Sequence, residues 1–313
     1  MLHMGRKKKV RSETIELKAK IPIDLTVPKI YSLADVPFNQ NHWNRVYRMF
    51  DGEIFVARIT QTKPLSKFIQ VTIESQTNLA SYEKEYIARI RHEIGMDETM
   101  QALRSESKKD SLINFAAQAY PGMRLYANSQ VHEAAILAIF SQNTSLFNYL
   151  QTTRQFVNKF GTKVEWDDSL TIFPSAAEIA NLEETDWKSL NIGYKVDFLK
   201  NLTVDILEDI GTYTFYPIAK RGLDNLLEIQ GIGDYTARSL FIYAARRYEY
   251  AFMDSFVREL LNHKYNIIYK MTTRDFDKWI KNKWKKDPAL ILHTLLLEYF
   301  PQSLLSIDTD NIK

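Results

Sequence analysis

The chain has 313 residues, 45% of them hydrophobic and 25% charged, enough for one large domain or two to three smaller ones. Its net charge of +3 is too small to mark a partner by itself. The absence of cysteine excludes disulfides, thiolate zinc sites, cysteine nucleophiles and iron–sulfur clusters, and it suits a reducing compartment. No apolar run approaches the length of a membrane span, and the start lacks the apolar segment of a secretion signal.

Residues 1–11 read as a basic flexible arm, Arg6-Lys7-Lys8-Lys9-Val10-Arg11, that either touches phosphate or is a solvated tail. Residues 12–95 read as a domain of antiparallel strands with one helix. Polar and apolar residues alternate in Thr14–Ile21, Glu53–Thr60 and Phe68–Glu74, and Asp51-Gly52 is a hairpin-type turn signal. A helix is expected over 80–94.

From 96 to 313 the period is helical. Residues 100–120 hold one or two helices before the break at Pro121-Gly122. Val131–Phe140 carries almost no polar surface and reads as a buried helix, and Leu146–Phe160 is amphipathic and stops at Gly161. Further helices are expected near 175–182, 185–190, 195–210, 217–229, 234–247, 255–264, 273–284 and 288–299. The stretch Lys278–Lys286 reads as an amphipathic helix with a lysine-rich solvent face and partly buried Trp279 and Trp284. Five positions apart, those tryptophans need not share a face. The fold class is α+β: an N-terminal antiparallel β-sheet domain, then an all-helical body. The aromatic share, 12%, fits either a well-filled core or rings that stack on bases.

The informative segment is Leu227-Glu228-Ile229-Gln230-Gly231-Ile232-Gly233-Asp234-Tyr235-Thr236-Ala237, inside a helical hairpin over 222–247. One helix ends at a glycine corner and another starts at once. The glycines allow a sharp bend and leave the backbone accessible. The second helix then presents unpaired amides and a positive dipole end, which together suit a phosphate. The same G-x-G also occurs in ordinary helix corners.

Context adds to the corner. The run Gly231, Ile232, Gly233, Thr236, Ala237 resembles the hairpin of the helix-hairpin-helix DNA glycosylase superfamily, in its alkylpurine (3-methyladenine II-type) and 8-oxoguanine branches. After it, Tyr250-Ala251-Phe252-Met253 leads to Asp254, nineteen positions beyond Tyr235 and at the start of a further helix. Leu190-Asn191-Ile192-Gly193-Tyr194-Lys195 and Ala138–Ser145 are similar to two further segments of that superfamily, as is the lead-in Gly122-Met123-Arg124-Leu125.

The resemblance implies a base-excision repair enzyme acting on double-stranded DNA with a damaged base, without a membrane, and expected as a monomer. Its place would be the cytoplasm, associated with the nucleoid, in a prokaryote and the nucleus in a eukaryote. Asp254 is implied as the catalytic carboxylate that stabilises positive charge building on the sugar. It reads equally as a plain N-cap, and the two roles are compatible. Bifunctional members carry lysine where this chain has Tyr235, and a phenol cannot form a Schiff base, so no strand cleavage is expected. Tyr235 either lines the base pocket or packs on the hairpin.

Gly231, Gly233, Asp234 and Thr236 are implied to grip DNA. Asn143 is implied to fill the gap left by the flipped nucleotide, Tyr194 to wedge beside the opposite base, and Lys195 to lie near the opposite strand. Their other readings are a loop cap, a buried aromatic and a solvated lysine. No cofactor is required, but a structural Na+ or K+ on the carbonyls of Leu227, Ile229 and Ile232 is implied. The expected substrate is an alkylated purine. The alternatives are 8-oxoguanine, mismatched uracil or thymine, or a non-catalytic protein that senses damage.

Overall fold

The structure is a computed structural model that describes residues 9–27, 42–208, 222–267 and 271–300. Most of the basic arm lies outside the described residues, and so does part of the helix expected over 217–229. Strands β1 (Arg11–Ile23), β2 (His42–Arg48), β3 (Ile54–Thr60) and β4 (Ser66–Ser75) form one antiparallel sheet in the order β1-β4-β3-β2. Asp51-Gly52 makes the β2–β3 turn, with Gly52 at φ +88 and Arg48 opposite Ile54. Alternation sends Leu17, Tyr47, Phe55, Ile69, Val71 and Ile73 to one face. That face is covered by α1 (Glu83–Ile94), which contributes Tyr86, Ile90 and Ile94.

The helical body begins with α2 (Gln101–Ser107) and α3 (Ser111–Ala119), so the 100–120 stretch is two helices. Next come α4 (Val131–Phe140) and α5 (Leu146–Phe160). A small hairpin of β5 (Thr162–Val164) and β6 (Asp167–Ile172) follows, which the sequence reading did not anticipate. It lies on the outer face of the sheet, where Val164 and Ile172 meet Val56 and Asp167 pairs with Arg58 at 2.7 Å. The remaining helices are α6 (Ala176–Ala180), α7 (Glu184–Ser189), α8 (Lys195–Glu208), α9 (Leu223–Leu227), α10 (Asp234–Tyr243), α11 (Ser255–Tyr265), α12 (Thr273–Lys283) and α13 (Pro288–Tyr299).

Nine of the ten residues of α4 are buried, and α10 is buried from Thr236 through Tyr243. These two helices and α13 are the centre of the body. α10 stops at Tyr243 rather than near 247, and the chain turns through Arg246 at φ +56. Trp279 and Trp284 do meet, at 5.6 Å between rings, because α12 ends at Lys283 and Trp284 turns back in extended backbone.

Sheet and body are joined by buried charge. Arg45 on β2 reaches Glu93 on α1 at 3.2 Å and Glu133 on α4 at 3.4 Å. Tyr47 and the Ser129 amide and hydroxyl also donate to Glu93, at 2.8, 3.0 and 2.8 Å. The Arg45 charge and these bonds hold the Glu93 carboxyl below the usual range, against a desolvation that acts the other way.

Candidate active site

The corner between α9 and α10 is built by its glycines. Gly231 stands at φ +95, and a Cβ there would lie 2.4 Å from the Phe198 ring. Only glycine combines that conformation with that approach. Gly233, at φ −86, is the N-cap of α10, and nothing lies within 4 Å of where its Cβ would be. The glycine has no side chain to cap this helix, so among the described residues no side-chain cap occupies its first-turn amides.

Gln142, just past α4, clamps the corner from behind. Its amide nitrogen donates to the Gly231 carbonyl at 2.7 Å and to the Thr236 hydroxyl at 2.9 Å. Thr236 is 2% exposed, so its hydroxyl serves this clamp and does not face outward. Asp234 pairs with Arg238 one turn on, at 2.8 Å. Thr236 and Asp234, both expected to grip DNA, are therefore first of all parts of the corner's own frame.

After α10 the chain returns through buried Ala251 and Phe252 to Asp254. Asp254 is the N-cap of α11, and its side chain accepts from the Val257 amide at 2.8 Å. The cap fixes the orientation of the carboxylate. Around it stand Tyr235, Tyr243 and Phe252, with Tyr235 edge-on to Phe252 at 4.8 Å. Burial, then the Asp254 charge, push the Tyr235 phenol up to about 12, with Ser239 and Ser141 hydrogen-bonding to it and acting the other way. Tyr243 is raised by burial first, with Tyr235 and Asp254 next. Behind Tyr243 lies His293 of α13, whose Nδ1 is 2.6 Å from the Ala289 carbonyl. That bond makes Nδ1 the donor, so Nε2 accepts from the Tyr243 hydroxyl. Burial lowers His293 to about 4 and keeps it neutral.

No family model matches the sequence. A DNA-3-methyladenine glycosylase of Bacillus subtilis (strain 168) is 22% identical over 243 residues, covering 72% of this chain and 79% of that protein. The solved 3-methyladenine DNA glycosylase from Archaeoglobus fulgidus superposes with a TM-score of 0.71 at 17% identity, covering 94% of this chain and 99% of that one. The apo form of the Clostridium acetobutylicum 8-oxoguanine glycosylase/lyase gives 0.68 at 14%, covering 92% and 98%. The chain has the helix-hairpin-helix DNA glycosylase fold.

Within this glycosylase fold, two sequence-distant expectations meet. Asn143, exposed and at φ +45, donates from Nδ2 to the Tyr194 hydroxyl at 2.9 Å. Tyr194 is 49% exposed and rests edge-on against Phe198, the ring that fills the space beside Gly231. The pair thus stands next to the corner. Lys195 does not join it. Its side chain is buried and its ammonium donates to the Phe140 carbonyl at 2.8 Å, at the C-terminal end of α4. Of the two readings of Lys195, the solvated lysine is corrected: the buried side chain steadies the helix end that leads to Gln142 and Asn143.

The hairpin carbonyls proposed for a cation are hard oxygen donors in a tight turn. The Ile229 carbonyl accepts from the Ile232 amide at 3.0 Å and keeps a second lone pair. Sequence reasoning missed Gln142, Arg238, Tyr243 and His293. Of these, only the Asp234–Arg238 spacing carried a local signal.

Proposed function

We propose that the chain is a monofunctional base-excision DNA glycosylase that hydrolyses the N-glycosidic bond of an everted, alkylated purine. The observation that carries this reading is that the helix opening at Gly233 carries Tyr235, a phenol rather than an amine, on which the charge of Asp254 acts.

The open amides of α10 and its dipole hold a backbone phosphate next to the lesion. Asn143 and Tyr194 occupy the duplex where the nucleotide has left the stack. The everted sugar faces Asp254. As the bond from C1′ to the base nitrogen breaks, its electron pair goes to the base, and the carboxylate stabilises the cationic sugar. Water then adds to C1′ and gives its proton to Asp254. An N-alkylated purine is already cationic, so it leaves neutral and needs no general acid. The faces of Tyr235 and neighbouring rings attract such a cationic base. Tyr235 offers no amine for a Schiff base, so the strand stays intact. The carbonyls of Leu227, Ile229 and Ile232 would hold a Na+ or K+, which when bound adds positive charge beside the phosphate.

A second reading, excision of 8-oxoguanine, has the Asn143–Tyr194 pair in its favour. One experiment separates the two: duplexes carrying single 3-methyladenine, hypoxanthine, 8-oxoguanine, uracil or mismatched thymine, assayed for base release with and without hot alkali. Release of 3-methyladenine, with nicks only after alkali, is the expected result. Nicking without alkali overturns the monofunctional reading, and release of 8-oxoguanine alone overturns the substrate.

A further inference from the structure

We infer that Arg238 is a positioning residue that sets the distance between the phosphate-holding corner and Asp254, an inference that rests on the glycosylase reading above. Arg238 is 7% exposed, and all three guanidinium nitrogens are engaged. Nε donates to Asp234 at 2.8 Å. Nη1 donates to the Ala251 carbonyl at 2.8 Å and to Asp277 Oδ1 at 2.7 Å. Nη2 donates to Asp277 Oδ2 at 2.7 Å.

These partners belong to three separate parts of the site. Asp234 is the first residue of α10, at the open amide end. Ala251 lies on the approach to Asp254, three residues before it. Asp277 is in the middle of α12 and anchors the assembly from behind. A guanidinium is planar, and its donors point in fixed directions, so one rigid group dictates the spacing of all three. A lysine carries the same charge but has no such fork.

The arrangement also answers a difficulty at the corner. Asp234 puts a negative charge where a phosphate is to dock, with its side chain 41% exposed. Arg238 offsets that charge and turns the carboxylate back along the helix, leaving the amides to the phosphate. Asp277 takes Nη1 and Nη2, so the single cation is shared between two carboxylates.

The test uses the full chain with Asp234→Asn, Arg238→Met and Asp277→Asn combined. Removing all three charges together leaves no buried ion without a partner, so the variant is expected to fold. Single-turnover release of 3-methyladenine from methylated duplex, at saturating enzyme, is expected to slow about 100-fold, the scale of a 1 Å misplacement. Affinity for a duplex with a tetrahydrofuran abasic analogue is expected not to fall, since Asp234→Asn removes a negative charge from the docking site. Hydrogen exchange at Phe252–Ser255 is expected to rise while α13 stays protected. Arg238→Lys is expected to slow release to a similar degree. Wild-type release and wild-type exchange in the triple variant, or full activity in the lysine variant, would overturn the inference. If the unmutated protein releases no base from any lesion, the functional reading falls, and the exchange measurement then decides the positioning claim alone.

Discussion

Replacing Asp254 with Asn separates the charge at this position from its architecture. The side chain caps α11 by accepting from the Val257 amide at 2.8 Å. Asparagine makes the same bond and is an equally good N-cap, so folding is expected to be unaffected. What is lost is the anion next to the reacting sugar. Removing one preorganised electrostatic partner costs about 3 kcal/mol of transition-state stabilisation. At about 1.4 kcal/mol per tenfold, that is a rate lower by roughly 10²-fold. Asp254→Ala is expected to lose the same rate and, in addition, about 1 kcal/mol of stability with the cap. Single-turnover base release measures the first effect and thermal melting the second. Binding to an abasic-analogue duplex should persist across the series, because the phosphate is held by the amides of α10, which these substitutions leave in place. An asparagine variant that released base at the wild-type rate would refute the role given to the carboxylate. Binding with no release by any variant, wild type included, would instead favour a damage-sensing protein.

The two corner glycines are expected to respond differently. Gly231→Ala puts a Cβ 2.4 Å from Phe198 at φ +95 and should cost about 1–3 kcal/mol in a denaturation experiment. Gly233→Ala meets nothing within 4 Å, so stability should hold while duplex affinity falls, and a matched loss of both would count against an open phosphate site. His92, His132 and His293 are each lowered by burial to about 4 from 6.5. The unfolded chain therefore takes up protons first as pH drops. Stability should be complete above about 6.5 and decline toward 4, by about 1.4 kcal/mol per pH unit for each histidine. Equal urea midpoints at about pH 7 and about pH 5 would contradict this. Arg45→Ala leaves Glu93 and Glu133 buried without their cation and should cost about 3–5 kcal/mol in denaturant titrations, while a loss under about 1 kcal/mol would show that the junction is hydrated.

The parts of this molecule that were legible beforehand are those whose cause is local. The alternating strands, the Asp51-Gly52 turn and the buried α4 follow from side-chain periodicity. The glycine corner and the Asp254 cap follow from backbone chemistry that a few adjacent residues determine. The β5–β6 hairpin was not legible because β5 is three residues long and its register shifts after Lys163. Lys195 could not be placed because its partner is a backbone carbonyl, which any sequence provides. Arg238 shows the limit most clearly. Its spacing of one helical turn from Asp234 was a local signal that went unread, but Ala251 and Asp277 reach it only through the packing of α10, the return loop and α12. The Asn143–Tyr194 contact was expected only as two separate roles taken over from a resemblance, and their hydrogen bond is a property of the folded chain.

A crystal structure with a duplex containing a tetrahydrofuran abasic analogue would test the account most directly. The expected result is a phosphate on the amides following Gly233 and the Asp254 carboxylate within about 4–6 Å of the sugar carbon equivalent to C1′. A duplex seated elsewhere on the surface, or an Asp254 carboxylate turned away from that sugar, would contradict it.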